Sequence, residues 1–262
     1  MSNASSEPPV PLEVAAPKLP WNAFWGIVFA VIAFYVSQLI AGILLSLYPA
    51  LRHWSGSQAT DWLNNSVAAQ FLFVLIAEVL VVAAVYLFLR RHRTGFASIG
   101  LKKPRLSDPA WGLAAVPAYF VLYLLTVGVV SHYVPGLNIN QQQQIGFNNV
   151  HGTGPLALTF ISLVILPPIA EEIMMRGFVY TTLKRALRLW PAVILTSLIF
   201  AVAHLPEGGS SGPLYIAALD TFVLSLVLIY LREKTGNLWA SITLHALKNA
   251  VAFAALFVIH AR

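Results

Sequence analysis

Seven runs of apolar residues follow one another along the chain, separated by short polar stretches. Each is about as long as the ~20-residue helix that crosses a hydrocarbon core of roughly 30 Å. The run from Trp21 to Leu51 contains no Asp, Glu, Lys or Arg and is read as one uncleaved span, tilted or turning along the interface near Pro49. A second span is expected over about Val67–Leu89 with Glu78 inside it, and a third over about Ala110–Tyr133 with Pro117 as a point of bending. The uncharged but polar stretch Asn138–Gly154 reads as a loop. A fourth span begins near Leu156 and meets Pro167-Pro168, where a regular helix loses its N–H donors. The helical pattern resumes over Ile169–Leu183, so the count is seven or eight depending on whether the proline pair divides one segment. Further spans are expected over about Leu189–Leu205, Leu214–Leu231 (with Asp220 inside) and Leu238–Ile259. The fold class is therefore all-α: a polytopic transmembrane helix bundle with an intramembrane polar site. Residues 1–18, rich in Ser and Pro and without period, read as a disordered tail. Residues 19–262 form a single transmembrane domain with no recognisable repeat.

Composition agrees with that pattern. Apolar residues make up 58% of the chain and charged residues 10%, where a soluble domain carries about a quarter charged. No cysteine is present, which removes thiol nucleophiles, thiolate metal sites and disulfides. The net charge of +6 is confined to short loops and does not form a face for nucleic acid. With seven spans, twelve of the sixteen Lys and Arg residues fall on one side, in the loops around Arg90–Arg105, Lys184–Arg188 and Arg232–Lys234 and at Lys18. Basic short loops stay cytoplasmic, so the amino terminus is expected inside a cell (inner or plasma) membrane and the carboxyl terminus outside.

Ionisable groups within a span cost at least ~2.5–3.5 kcal/mol near its centre, so each asks for a partner or a task. Here they are Glu78, Glu171, Glu172, Arg176, His204, Asp220, His245 and Lys248. Glu172 precedes Arg188 by 16 residues and His204 follows it by 16. At 1.5 Å per residue, both lie roughly 20–24 Å from that turn. His245 and Asn249, on the last span, lie about 16–22 Å from Lys234 by the same rise. Three helices thus bring a carboxylate, an imidazole and an imidazole–amide pair to one depth. Glu172 and Arg176 are i,i+4 and are expected to pair, which leaves Glu171, turned ~100° away, free for other work. Lys248 is expected to pair with Asp220, while Ser197 and Ser241 are expected to bond their own helices. A carboxylate and an imidazole can deprotonate a water for attack on a carbonyl, and His and Asn can donate to the oxyanion. Glu and two His can instead hold a metal that activates the water. Neither the HExxH pattern nor GxSxG occurs.

Glu171-Glu172-x-x-x-Arg176-Gly177, Phe200-x-x-x-His204 and His245-x-x-x-Asn249, in this order within about residues 155–255, resemble the motifs of the CPBP intramembrane proteases. That family takes in the type II CAAX prenyl proteases and the bacteriocin-immunity (ABI) proteins. The resemblance implies an endopeptidase acting on membrane-anchored or lipidated protein substrates, with a non-catalytic immunity or scaffold protein as the alternative. It implies that Glu171 and His204 activate the attacking water, that Glu172 pairs with Arg176, and that His245 and Asn249 stabilise the oxyanion. The reading leans to a metal-free reaction, since only Glu171, His204 and His245 are left to ligate a divalent ion such as zinc.

Overall fold

The computed structural model describes residues 20–141, 146–147 and 150–259. The tail expected at 1–18 lies outside them, and the polar loop before Gly154 is described in part. Among the described residues every regular element is helical. They are α1 (Ala23–Leu51), α2 (Gly56–Asn65), α3 (Val67–Arg91), α4 (Ser107–Tyr133), α5 (Thr153–Ala186), α6 (Leu189–Gly209), α7 (Tyr215–Thr235) and α8 (Trp239–Ile259), with one 3-10 turn at Phe96–Ile99 between α3 and α4 and another, Leu205–Ser211, closing α6. All but α2 are long and apolar enough to cross a membrane, so the count is seven.

The proline pair does not divide α5. The backbone widens into a π turn at Ile161–Ile165, runs as an α-helix over Leu166–Glu172 with the prolines at its start, and widens again over Ile173–Val179. Proline removes an N–H and crowds the preceding turn, and a π turn is one of the few ways a helix continues past it. The two acidic residues close the short α stretch between these widenings, where such irregularities often mark function.

Helix α1 continues through Pro49, and the polar stretch after it forms α2, which the hydrophobic pattern does not predict. Its sequence signal is a capping box. Ser55 Oγ accepts from the Gln58 backbone N–H, and Gln58 Oε1 accepts from that of Ser55. The rings of Tyr48, Trp54 and Trp62 meet one another at 5.0–6.0 Å, an aromatic group of the kind that sits at a membrane interface.

Two buried clusters hold the spans. In one, Trp21, Phe88 and Phe178 pack ring against ring, and the Trp21 indole donates to Thr182 Oγ1 at 3.1 Å, tying the start of α1 to α5. In the other, Tyr119, Leu224, Leu228 and Leu244 join α4, α7 and α8. Two basic loops meet at Asn237, whose amide donates to the Lys103 carbonyl and to Asp108 Oδ2. Outward, large apolar chains stand exposed on α1 and α4, among them Leu39, Leu47, Leu124 and Leu125, where lipid covers them.

Helix α4 approaches α8 through Gly112, where a Cβ would stand 2.7 Å from the Ala240 carbonyl oxygen and from Thr243 Cβ. Gly112→Val is therefore expected to cost ~1–3 kcal/mol by overpacking. Gly128→Val, on the same helix with open space around it, is expected to change little. Apparent melting temperatures of the two variants in detergent check the contrast.

Candidate active site

The site is built from α5, α6 and α8. Glu172 is fully buried, and its Oε1 accepts from Arg176 Nη1 at 2.9 Å and from His245 Nδ1 at 3.0 Å. The expected pairing of Glu172 with Arg176 is present, and a second partner from α8 meets the same oxygen. Arg176 is also fully buried, with its guanidinium 4.2 Å above the Phe200 ring. That ring packs edge-on against His204 at 4.6 Å and against His245 at 6.1 Å. Phe200, which on its own reads as a core residue, is thus the surface on which the cation and both imidazoles are arranged. A desolvated guanidinium over an aromatic face gains about 2 kcal/mol or more.

Glu171 differs from its neighbour. Its side chain is 26% exposed against 0% for Glu172, and its Oε2 lies 3.8 Å from His245 Nε2. One imidazole therefore stands between two adjacent carboxylates, bonded to the fully buried one through Nδ1 and facing, through Nε2, an oxygen of the partly exposed one that bonds to no protein group. Because Glu172 Oε1 accepts, the His245 ring donates through Nδ1, and this fixes its orientation.

His204 ends the α-helical part of α6. Its Nδ1 donates to the Phe200 carbonyl at 2.8 Å, and its Nε2 lies 3.8 Å from Glu207 Oε1. Among the described residues, no hydrogen bond or ion pair joins His204 to Glu171. The sequence pattern places the two in one layer, and the structure brings His204 there through Phe200 and not by direct contact. No three His, Asp or Glu side chains among the described residues are grouped as a metal site, so Glu171, His204 and His245 are not assembled as a ligand set.

Asn249 lies one turn beyond His245, with its amide donating to the Leu163 carbonyl of α5 at 2.9 Å. Lys248 pairs with Asp220 at 2.8 Å as expected. Asp220 also accepts from the Tyr119 hydroxyl, a partner on α4 that spacing does not reveal. Ser241 bonds the Leu228 carbonyl of α7 and not its own helix. Beside the site, Glu78 joins Val79, Val82, Leu166, Ile169 and Ala170 in lining an apolar groove of about 380 Å³ between α3 and α5. Ala170 precedes Glu171 in the chain, and Glu171 itself does not line the groove.

Residues 153–251 match the family model described as Type II CAAX prenyl endopeptidase Rce1-like. This bears out the resemblance carried by the three motifs, all of which lie within that range. The chain is also 26% identical over 229 residues to the Bacillus subtilis (strain 168) protein named "Putative membrane peptidase YdiL", covering 86% of each chain. The Lactococcus lactis protein named "UPF0177 protein YbdI" is 28% identical over 100 residues, 38% of this chain and 54% of that one. No solved structure matches.

Removing Arg176 leaves Glu172 buried without its cation. Arg176→Ala is expected to destabilise the protein by ~3–5 kcal/mol. The paired replacement Glu172→Gln with Arg176→Met, which removes both charges, is expected to recover part of that loss. Thermal unfolding of the single and double variants measures the coupling.

Proposed function

We propose that this chain, which carries a type II CAAX prenyl endopeptidase Rce1-like domain over residues 153–251, hydrolyses peptide bonds of membrane-associated proteins with Glu171 as proton acceptor. One observation carries the reading. Of two adjacent intramembrane carboxylates, one is sealed and spent on Arg176 and His245, while the other has a partly exposed side chain whose Oε2 bonds to no protein group and faces an imidazole nitrogen.

The chemistry follows from these positions. A water in reach of Glu171 Oε2 and His245 Nε2, which stand 3.8 Å apart, is oriented by both groups. Glu171 takes its proton as the oxygen attacks the scissile carbonyl, and the carbonyl electrons become an oxyanion. His204 donates through Nδ1 to the Phe200 carbonyl, which leaves its Nε2 as an acceptor on the Glu207 side of the site. With Nδ1 of His245 held by Glu172, Nε2 is the nitrogen that receives the proton from Glu171. The resulting imidazolium faces the oxyanion and then protonates the leaving amine as the C–N bond breaks. Arg176 and Phe200 fix the frame. No step passes through a metal.

The groove beside Glu171 supports a substrate with an apolar flank, such as a lipidated or membrane-embedded peptide. Its lining residues are almost all apolar and lie at the α3–α5 face, which suits an apolar chain held within the bilayer. The basic loops favour a cell-membrane protein with its amino terminus in the cytoplasm.

Purified protein in nanodiscs is expected to cleave a fluorogenic lipidated peptide, with kcat falling ~10²–10⁴-fold in Glu171→Gln at unchanged thermal stability. Cleavage that survives the substitution would sink the mechanism. Because the chain has no cysteine, single Cys reporters read topology directly. An impermeant maleimide is expected to label Ser57→Cys in intact cells and Lys103→Cys only after permeabilisation.

A further inference from the structure

Pro167 and Pro168 leave a polar atom of the spanning backbone without its partner. The Leu163 carbonyl would accept from residue 167 in an α ladder and from residue 168 in a π ladder, and neither proline has an N–H. The Leu166 N–H is already donated to Ile161. A backbone carbonyl at this depth has no water to turn to, so its satisfaction must come from the protein. The donor is Asn249 Nδ2, at 2.9 Å, reaching across from α8.

We infer that Asn249 is a positioning residue: its amide stands in for the missing helix N–H, and the bond sets the register of α8 against α5 so that His245 meets the two carboxylates. The geometry makes the link direct. Asn249 is one turn from His245 on α8, and Leu163 is about two turns from Glu171 on α5. The Asn249–Leu163 bond and the His245–Glu172 bond are two rungs between the same two helices. A slip of either helix along the other breaks both rungs. It also changes the 3.8 Å approach of His245 Nε2 to Glu171 Oε2. The inference rests on the proposed hydrolytic reading for its consequence, but the clamp itself does not. It also differs from a direct role for Asn249 at the oxyanion, because its effect travels through His245.

The two roles separate in a double-mutant cycle. Asn249→Ala is made in the natural background and in Pro167→Ala/Pro168→Ala, which restores both N–H groups opposite the Leu163 carbonyl. Thermal stability, kcat and KM on a fluorogenic lipidated peptide are measured for all four proteins in nanodiscs. Positioning predicts that Asn249→Ala lowers kcat on the order of tenfold in the natural background with KM little changed. In the alanine background the same substitution then changes kcat and stability by less than about twofold in the corresponding constants. An oxyanion donor predicts equal losses of about 10²–10³-fold in kcat in both backgrounds, and that result overturns the proposal. Either single proline replacement serves where the double one fails to fold. If the unaltered protein shows no hydrolysis, the proposed function fails, while the stability arm of the cycle still decides the clamp. Additive stability losses in that arm reject it.

Discussion

Glu172 has no exposed surface in a protein built to sit in lipid, and the rest of the site is arranged around that fact. An uncompensated charge there is costly, so such a carboxylate persists only where cations and donors converge on it. They come from two directions: Arg176 from one turn further along α5, and the His245 ring from α8. Each partner needs support in turn. The guanidinium rests on Phe200 of α6, so three spans are bound through one acid. A buried ion pair is weak evidence of stability in itself, since an apolar replacement of the same shape is often as stable. What it supplies here is position. The His245 ring cannot turn without giving up the hydrogen bond to Glu172, and the free nitrogen is thereby aimed at Glu171.

The backbone of α5 obeys the same constraint. Within hydrocarbon every carbonyl must find a donor inside the protein. Prolines at 167 and 168 ought to end a spanning helix, yet the segment continues to Ala186 because a π turn before them absorbs the misfit and a side chain from α8 supplies the lost donor. A second π turn carries Arg176. The two glutamates lie between these widened turns, so the first turn shifts the phase of both residues relative to the helix that precedes it. Irregularity at this point sets the phase at which the pair leaves α5, and the bond to His245 then holds it.

Much of this was legible in the sequence, and the misses share a cause. Apolar run length located the spans because it depends on membrane thickness alone. The Glu172–Arg176 pair was legible because i,i+4 spacing is a local rule, and equal distances from basic turns placed three helices' polar groups at one depth. The pairing of His245 with Glu172 was not legible, since depth does not fix the rotation of one helix against another. For the same reason the Tyr119 hydroxyl on Asp220, the Leu228 carbonyl on Ser241 and the role of Phe200 as a shared platform emerge only from packing. The prolines leave the number of spans open in the sequence, because chain chemistry says that a donor is missing but not who replaces it. Helix α2 had a readable capping box at Ser55–Gln58, but a hydrophobicity pattern has nothing to say about a short polar helix.

Exposure divides the polar groups into those that hold and those that work. Glu172 and Arg176 are at zero, whereas Glu171 and His204 are at 26% and 16%. Hydrolysis in a membrane requires both conditions at once: a dry environment in which fixed charges orient strongly, and a wet patch that admits water. A uniformly polar pocket would let water screen the Glu172–Arg176 pair and loosen the frame. A uniformly sealed one would exclude the reactant. Adjacent glutamates on one helix, rotated ~100° from each other, meet both needs within a single turn, provided that something fixes the rotation. In this chain that is the bond from Glu172 to His245, which is why the fully sealed residue governs its partly exposed neighbour.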